Sequence, residues 1–149
     1  MPAGTNDPLA GFQYILDITG VQNSAYFTEC SGVGSEHEII EHKVSIEGKD
    51  YVQKVPGRMK WTDVTLKRGI TGSMDIWEWR KMVEDGDMQS SRKHCSITML
   101  DREGKAVAKW DFENAWPSKV SGPDLKADSN DFGVEEMVLV HERMKRVKV

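Results

Sequence analysis

The chain has 149 residues, 38% of them hydrophobic, with two cysteines and a net charge of -4 from 20 basic and 24 acidic side chains. One domain of this size buries roughly two-thirds of its unfolded surface, enough to hold a core without staples, and two cysteines are too few for a disulfide framework. The acidic balance offers no general attraction for nucleic acid, and no run of about 18 apolar residues is present to cross a membrane.

Residues 1–10 contain Pro2, Gly4, Asn6, Asp7 and Pro8, a composition that predicts a flexible lead-in to one domain spanning 1–149. This segment has neither a charged n-region nor an apolar h-region, so no secretion signal is expected and Cys30 and Cys95 read as reduced thiols of a protein folded in the cytoplasm. From Phe12 the pattern alternates, with Phe12, Tyr14, Leu16 and Ile18 on one face, stops at Gly20, and resumes over Ser24 to Cys30. Period 2 on both sides of a glycine stop predicts a β-hairpin.

A second hairpin is predicted over Glu38 to Val55. Ile40, His42, Val44 and Ile46 alternate with Glu41, Lys43 and Ser45, turn through Glu47-Gly48-Lys49-Asp50 and return along Tyr51 to Val55. One face is heavily charged, so at most the other is buried. Pro56-Gly57 is expected to break this hairpin, and Trp61 to Arg68 to form the next strand, with Val64 and Leu66 inward and Asp63, Thr65 and Lys67 outward. After Gly69 and Gly72, Ser73 is the expected N-cap of one helix over Met74 to Glu84, in which Ile76, Trp79 and Val83 fall at helical spacing.

A third hairpin is predicted from Cys95–Asp101 and Ala106–Ala115, joined by Arg102 to Lys105, and a turn-rich loop from Pro117 to Phe132 leads to a last strand from Val134 to about Val147. Its centre, Met137 to Val140, is apolar on both faces and is expected to be buried on both. About six to seven antiparallel strands with one flanking α-helix make the chain mainly β, an antiparallel β-barrel or sandwich.

The residues carry no recognisable chemistry. His37, His42, His94 and His141 have no metal-ligand spacing, and Asp128 to Gly133 reads as a polar turn because Phe132 and Leu139 stand where a calcium loop needs oxygen ligands. The serines lack a nucleophile elbow and the glycines are scattered strand stops, so no catalytic residue, metal or cofactor is expected. Trp79 and Trp110 read as core, whereas Trp61 and Trp77 leave open a monomeric ligand-binding barrel of lipocalin-like kind. The excess of exposed strand edge, in a chain too short to cover it, points instead to self-assembly.

Three motifs carry a family resemblance: Phe12…Gly20…Ala25…Phe27-x-Glu29-x-Ser31-Gly32, then Lys54-Val-Pro-Gly57…Lys60-Trp-x-Asp-Val-x-Leu-x-Arg-Gly69, and last Ala115-Trp-Pro117…Ser121-Gly-Pro…Leu125-Lys-Ala127…Glu135-Glu-Met-x-Leu-x-His-Glu142. In this order they resemble the tail tube proteins of contractile-tailed phages, and more closely the inner tube proteins of extracellular contractile injection systems. The resemblance implies a β-barrel that assembles as stacked hexameric rings around a channel, inside a contractile sheath. It implies as partners the sheath, baseplate or spike, and tube-terminating proteins, with a cargo effector in the lumen and no specific nucleic-acid binding. Assembly in the bacterial cytoplasm and work within a released or membrane-attached phage-tail-like particle follow from the same resemblance. So do an extended inter-subunit arm over 38–60, with Glu41, Lys43, Glu47, Lys49, Asp50, Lys54 and Arg58 as contacts, and a channel wall including Asp63, Thr65, Lys67 and Thr98.

Overall fold

A computed structural model describes residues 12–21, 24–70, 72–123 and 133–149. The expected flexible lead-in, the Asp128 to Gly133 turn except for Gly133, and most of the loop before the last strand lie outside these residues. Ten strands and two helices follow in chain order: β1 (Gln13–Ile18), β2 (Ala25–Phe27), β3 (Glu29–Ser31), β4 (Ser35–Ile46), β5 (Lys49–Trp61), β6 (Val64–Gly69), α1 (Asp75–Glu84), α2 (Met88–Ser91), β7 (Lys93–Leu100), β8 (Ala106–Ser121), β9 (Val134–Val140) and β10 (Arg143–Val147). The architecture is the expected mainly-β one, in its sandwich form.

The body is an antiparallel sheet in the order β2-β1-β7-β8-β9-β6-β3, with β10 also on β8. Strand β8 organises it. Its first half pairs with β7 and β10, and its second half pairs with β9, so β8 belongs to both layers. At the changeover Asn114 takes φ 50°, and its side chain donates to Glu142 Oε2 at 2.7 Å, which holds the bend. The ends of the strand path are neighbours in sequence, because Ala25–Phe27 pairs with β1 and Glu29–Ser31 with β6. Thr28 joins them, its N–H donating to Lys67 O at 2.9 Å.

Period 2 decides what is buried. Leu16 and Ile18, Ala25 and Phe27, Val64 and Leu66, Cys95 and Ile97, and Met137 and Leu139 all face one core with Phe112 and Ala115, and Ile76 and Trp79 of α1 complete it. Each fully buried Leu, Ile or Phe contributes on the order of 1.5–3 kcal/mol. Trp79 is held further by its indole N–H, which donates to Ser91 O at 2.7 Å and ties α1 to α2. Both cysteines are free thiols; burial pushes Cys30 up to about 11 and Cys95 to about 12, so neither is a nucleophile at neutral pH.

Several expectations are corrected. The helix begins at Asp75 with Met74, not Ser73, at the N-cap, and Asp75 Oδ1 instead accepts from its neighbour Ile76 N–H at 2.8 Å. Among the described residues a short second helix and ten strands stand in place of the one helix and about six to seven strands. Pro56-Gly57 does not end the second hairpin, because in a two-stranded ribbon both strands are edges and proline removes no interior hydrogen bond; the ladder absorbs the pair as a register shift near His37 and Ile39. Trp61 therefore closes β5, and Asp63 lies in the connector before β6 instead of on that strand. Strand β8 runs through the buried Pro117 to Ser121, where a loop was expected. The last strand divides at His141 and Glu142, and within Met137 to Val140 only Met137 and Leu139 are fully covered while Val138 and Val140 are half-buried.

Candidate subunit interface

Strands β4 and β5 form a separate two-stranded sheet that leaves the body as a hairpin arm. Register sets its two faces. Ile40 opposes Val55, His42 opposes Gln53, Val44 opposes Tyr51 and Ile46 opposes Lys49, giving one largely apolar face; Glu41 opposes Lys54, Lys43 opposes Val52 and Ser45 opposes Asp50 on the other. Nearly every arm side chain is exposed, including Ile39 at 67%, Ile46 at 58% and Tyr51 at 50%. Apolar residues so exposed on a long ribbon make the arm the candidate contact surface. The tip is a two-residue turn in which Glu47 and Gly48 take φ 55° and 76°, the primed geometry that fits the twist of a hairpin.

The arm root is tightly built. Gly32 has φ +84°, and a Cβ there would lie 2.1 Å from Asp63 O, so the strand leaving for the arm and the strand returning from it pass in close contact. Gly34 O accepts from Thr62 N–H at 3.1 Å. Trp61 and Phe112 flank His141, with ring centroids 5.8 Å and 4.8 Å away, and His141 Nε2 lies 3.3 Å from Thr62 O. Burial lowers the His141 pKa, against the pull of its backbone hydrogen bonds. Trp61 is thus committed to the arm root, and Trp77 donates its indole N–H to Glu135 Oε1 at 2.8 Å. Neither stands in an open calyx, and the interior is filled by Phe27, Phe112, Leu16, Leu66, Ile97 and Met137, which removes the basis for a lipocalin-like reading.

Of the residues named from sequence, Glu41, Lys43, Lys49, Asp50, Lys54 and Arg58 all lie exposed along the arm, with Glu47 in its turn. The channel candidates are not brought together. Thr65 and Lys67 share the outward face of β6, where a cleft is lined by Tyr14, Glu29, Cys30 and Glu136 as well. Thr98 sits on β7 opposite Ile15 and Lys109, on the outward side of the other layer. Sequence reading did not single out the apolar face of the arm as a candidate contact; the exposed pairing of Ile40 with Val55 was readable from the alternation.

Residues 10–145 match the family described as T4-like virus tail tube protein gp19. No curated protein matches. Among solved structures, the chain is similar to one in the sheath-tube complex of the PVC extracellular contractile injection system in its extended state, at 24% identity and TM-score 0.75, over 97% of this chain and 95% of that one. It is similar to a chain of the anti-feeding prophage tube-terminating cap, at 22% identity and TM-score 0.72, over 100% and 95% of the two chains. Hcp1 from Flavobacterium johnsoniae shares the fold more distantly, at 13% identity and TM-score 0.51 over 89% and 93%. With that match running through the body, the arm and the β9–β10 junction, the chain belongs to the T4-like virus tail tube protein gp19 family.

Proposed function

We propose that this chain is the inner-tube subunit of a contractile injection particle, six copies closing into a ring and rings stacking into a tube whose channel carries an effector. The observation that carries the reading is the arm: a 12-residue and a 13-residue strand paired only with each other, apolar on one face and charged on the other, projecting from the body. Beyond Trp61 at its root, such an element costs chain entropy and buries little within its own subunit, so its stabilisation comes from neighbours. Glu41, Lys43, Glu47, Lys49, Asp50, Lys54 and Arg58 are its proposed contacts. The role is mechanical, without catalysis or cofactor. Assembly occurs in the bacterial cytoplasm, and the tube works in a released or membrane-attached particle with sheath, baseplate or spike, and terminator proteins as partners. A close fit to chains of injection-system particles, end to end, supports this setting.

Light scattering after size exclusion, with negative-stain imaging, tests the proposal. Rings and tubes are expected from the intact chain. Replacing Lys43–Val52 by Asn-Gly, which leaves His42 opposite Gln53, is expected to give a folded body that forms no ordered tube. A persistent monomer from the intact chain, or normal tubes from the deletion, would refute it.

A further inference from the structure

We infer that the free edge of β10 in one copy is completed by strand β4 of a second copy of this chain. The inference rests on the ring-forming role proposed above and specifies which edges meet.

Among the described residues strand β10 pairs only with β8, and its other edge has no strand beside it. The same side of the preceding strand, β9, is covered by β6 as far as Leu139 opposite Val64. There the chain turns off through Thr62 into the arm, and from Arg143 onward β10 has no neighbouring strand on that side among the described residues. A bare five-residue edge continuous with a covered one is an acceptor for a strand.

Charge selects the strand. Strand β10 and the residue after it carry Arg143, Lys145, Arg146 and Lys148. Of the long free edges in the molecule, β5 carries Lys49, Lys54, Arg58 and Lys60 against Asp50, whereas β4 carries Glu36, Glu38 and Glu41 against Lys43. The free edges of β2 and β3 are only three residues long. Behind each edge stands a row of opposite sign: Glu36 opposes Lys60 and Glu41 opposes Lys54 in the arm, while Arg143 opposes Glu113 and Lys145 opposes Asp111 in the body. Joining β4 to β10 gives the order β5 basic, β4 acidic, β10 basic, with Glu113 and Asp111 of β8 behind Arg143 and Lys145, so that β4 and β10 each lie between partners of opposite charge. Joining β5 to β10 would set two basic strands side by side. The sheet that then runs from copy to copy is the one bearing Thr98, not the one bearing Thr65 and Lys67.

Charge reversal tests this. Arg143→Glu with Lys145→Glu and Arg146→Glu makes β10 acidic, and Glu36→Lys with Glu38→Lys and Glu41→Lys makes β4 basic; each variant alone is expected to lose rings and tubes. Mixed in equal amounts they are expected to recover them, because every contact in an alternating ring then joins opposite charges. Tubes from either variant alone, or no recovery on mixing while wild type assembles, overturn the edge assignment. Failure of wild type to form rings would instead refute the tube reading. If circular dichroism shows that a reversed variant does not fold, R143Q/K145Q and E36Q/E38Q/E41Q take its place. Each is expected to raise the critical concentration for assembly about tenfold, with the combined variant no worse than either one; additive losses overturn the assignment.

Discussion

Arg68 Nε donates to Glu135 Oε2 at 3.0 Å across directly opposed positions of β6 and β9, with the two side chains only 6% and 3% exposed. Charges so covered are tolerable only when fully partnered. Arg68 Nη2 reaches Asp75 Oδ1 at 2.7 Å, its guanidinium lies 5.3 Å over the Phe27 ring, and Glu135 accepts from the Trp77 indole. The cluster fastens the first turn of α1 to the sheet. Replacing Glu135 by Ala strands the buried guanidinium and is expected to lower stability by about 3–5 kcal/mol in urea titration. The triple variant Arg68→Met with Glu135→Leu and Asp75→Asn is expected to lose less than the single one, since it removes the charge with both its partners; equal losses would show that packing alone sets the cost.

The same cluster fixes an acid response. Burial raises the Asp75 pKa, but hydrogen bonds from Arg68 and from Ile76 N–H, with the Arg68 charge, outweigh it and hold the carboxyl below its usual range. Burial likewise opposes the Arg68 charge, and its bonds to Asp75 and Glu135 reverse that, so Arg68 stays cationic throughout. For a carboxyl depressed in the folded state, the stabilisation is present above the unfolded value of about 3.9 and disappears as pH falls through the folded value. Melting temperature is expected to fall below about pH 4 more steeply in wild type than in Asp75→Asn, which begins less stable at pH 7. Parallel curves would remove Asp75 from the account.

Much of the body was legible because alternation alone places its core. Leu16, Phe27, Leu66 and Ile97 follow from period 2, and so do the three hairpins. Arg68 and Glu135 escaped notice, although Arg68 has the parity of Val64 and Leu66, and Glu135 that of Met137 and Leu139. A charge on the inward parity of each of two strands was the available signal. The fate of Pro56-Gly57 was not legible, because whether proline ends a strand depends on how many neighbours that strand has. Nor was the separation of Thr98 from Thr65, which depends on the bend of β8 at Asn114.

The arm tip offers a gain. Glu47 holds φ 55° with an ordinary side chain, and Asn-Gly is the pair best suited to this two-residue turn. Glu47→Asn is expected to stabilise the hairpin by up to about 1 kcal/mol, slowing amide exchange in Val44 to Val52 without altering the body. Unchanged or faster exchange there would mean that Glu47 has a compensating contact.

The arm root offers the opposite case. Gly32 combines φ +84° with a Cβ position 2.1 Å from Asp63 O, and that obstacle is backbone, not the end of a flexible side chain. Left-handed geometry alone costs a non-glycine residue about 1–2 kcal/mol. The clash adds to it, because Asp63 lies between Thr62, bonded to Gly34, and the fully buried Val64, and so has little room to move. Gly32→Ala is therefore expected to cost on the order of 3 kcal/mol or more, counting strain with displaced packing. Gly34, with nothing within 4 Å of its Cβ position and an ordinary φ, is the matched control, and Gly34→Ala is expected to fold almost as wild type. Urea midpoints for the two variants decide it: equal midpoints would mean that the crossing at the arm root can open without penalty and does not fix the direction in which the arm leaves the body.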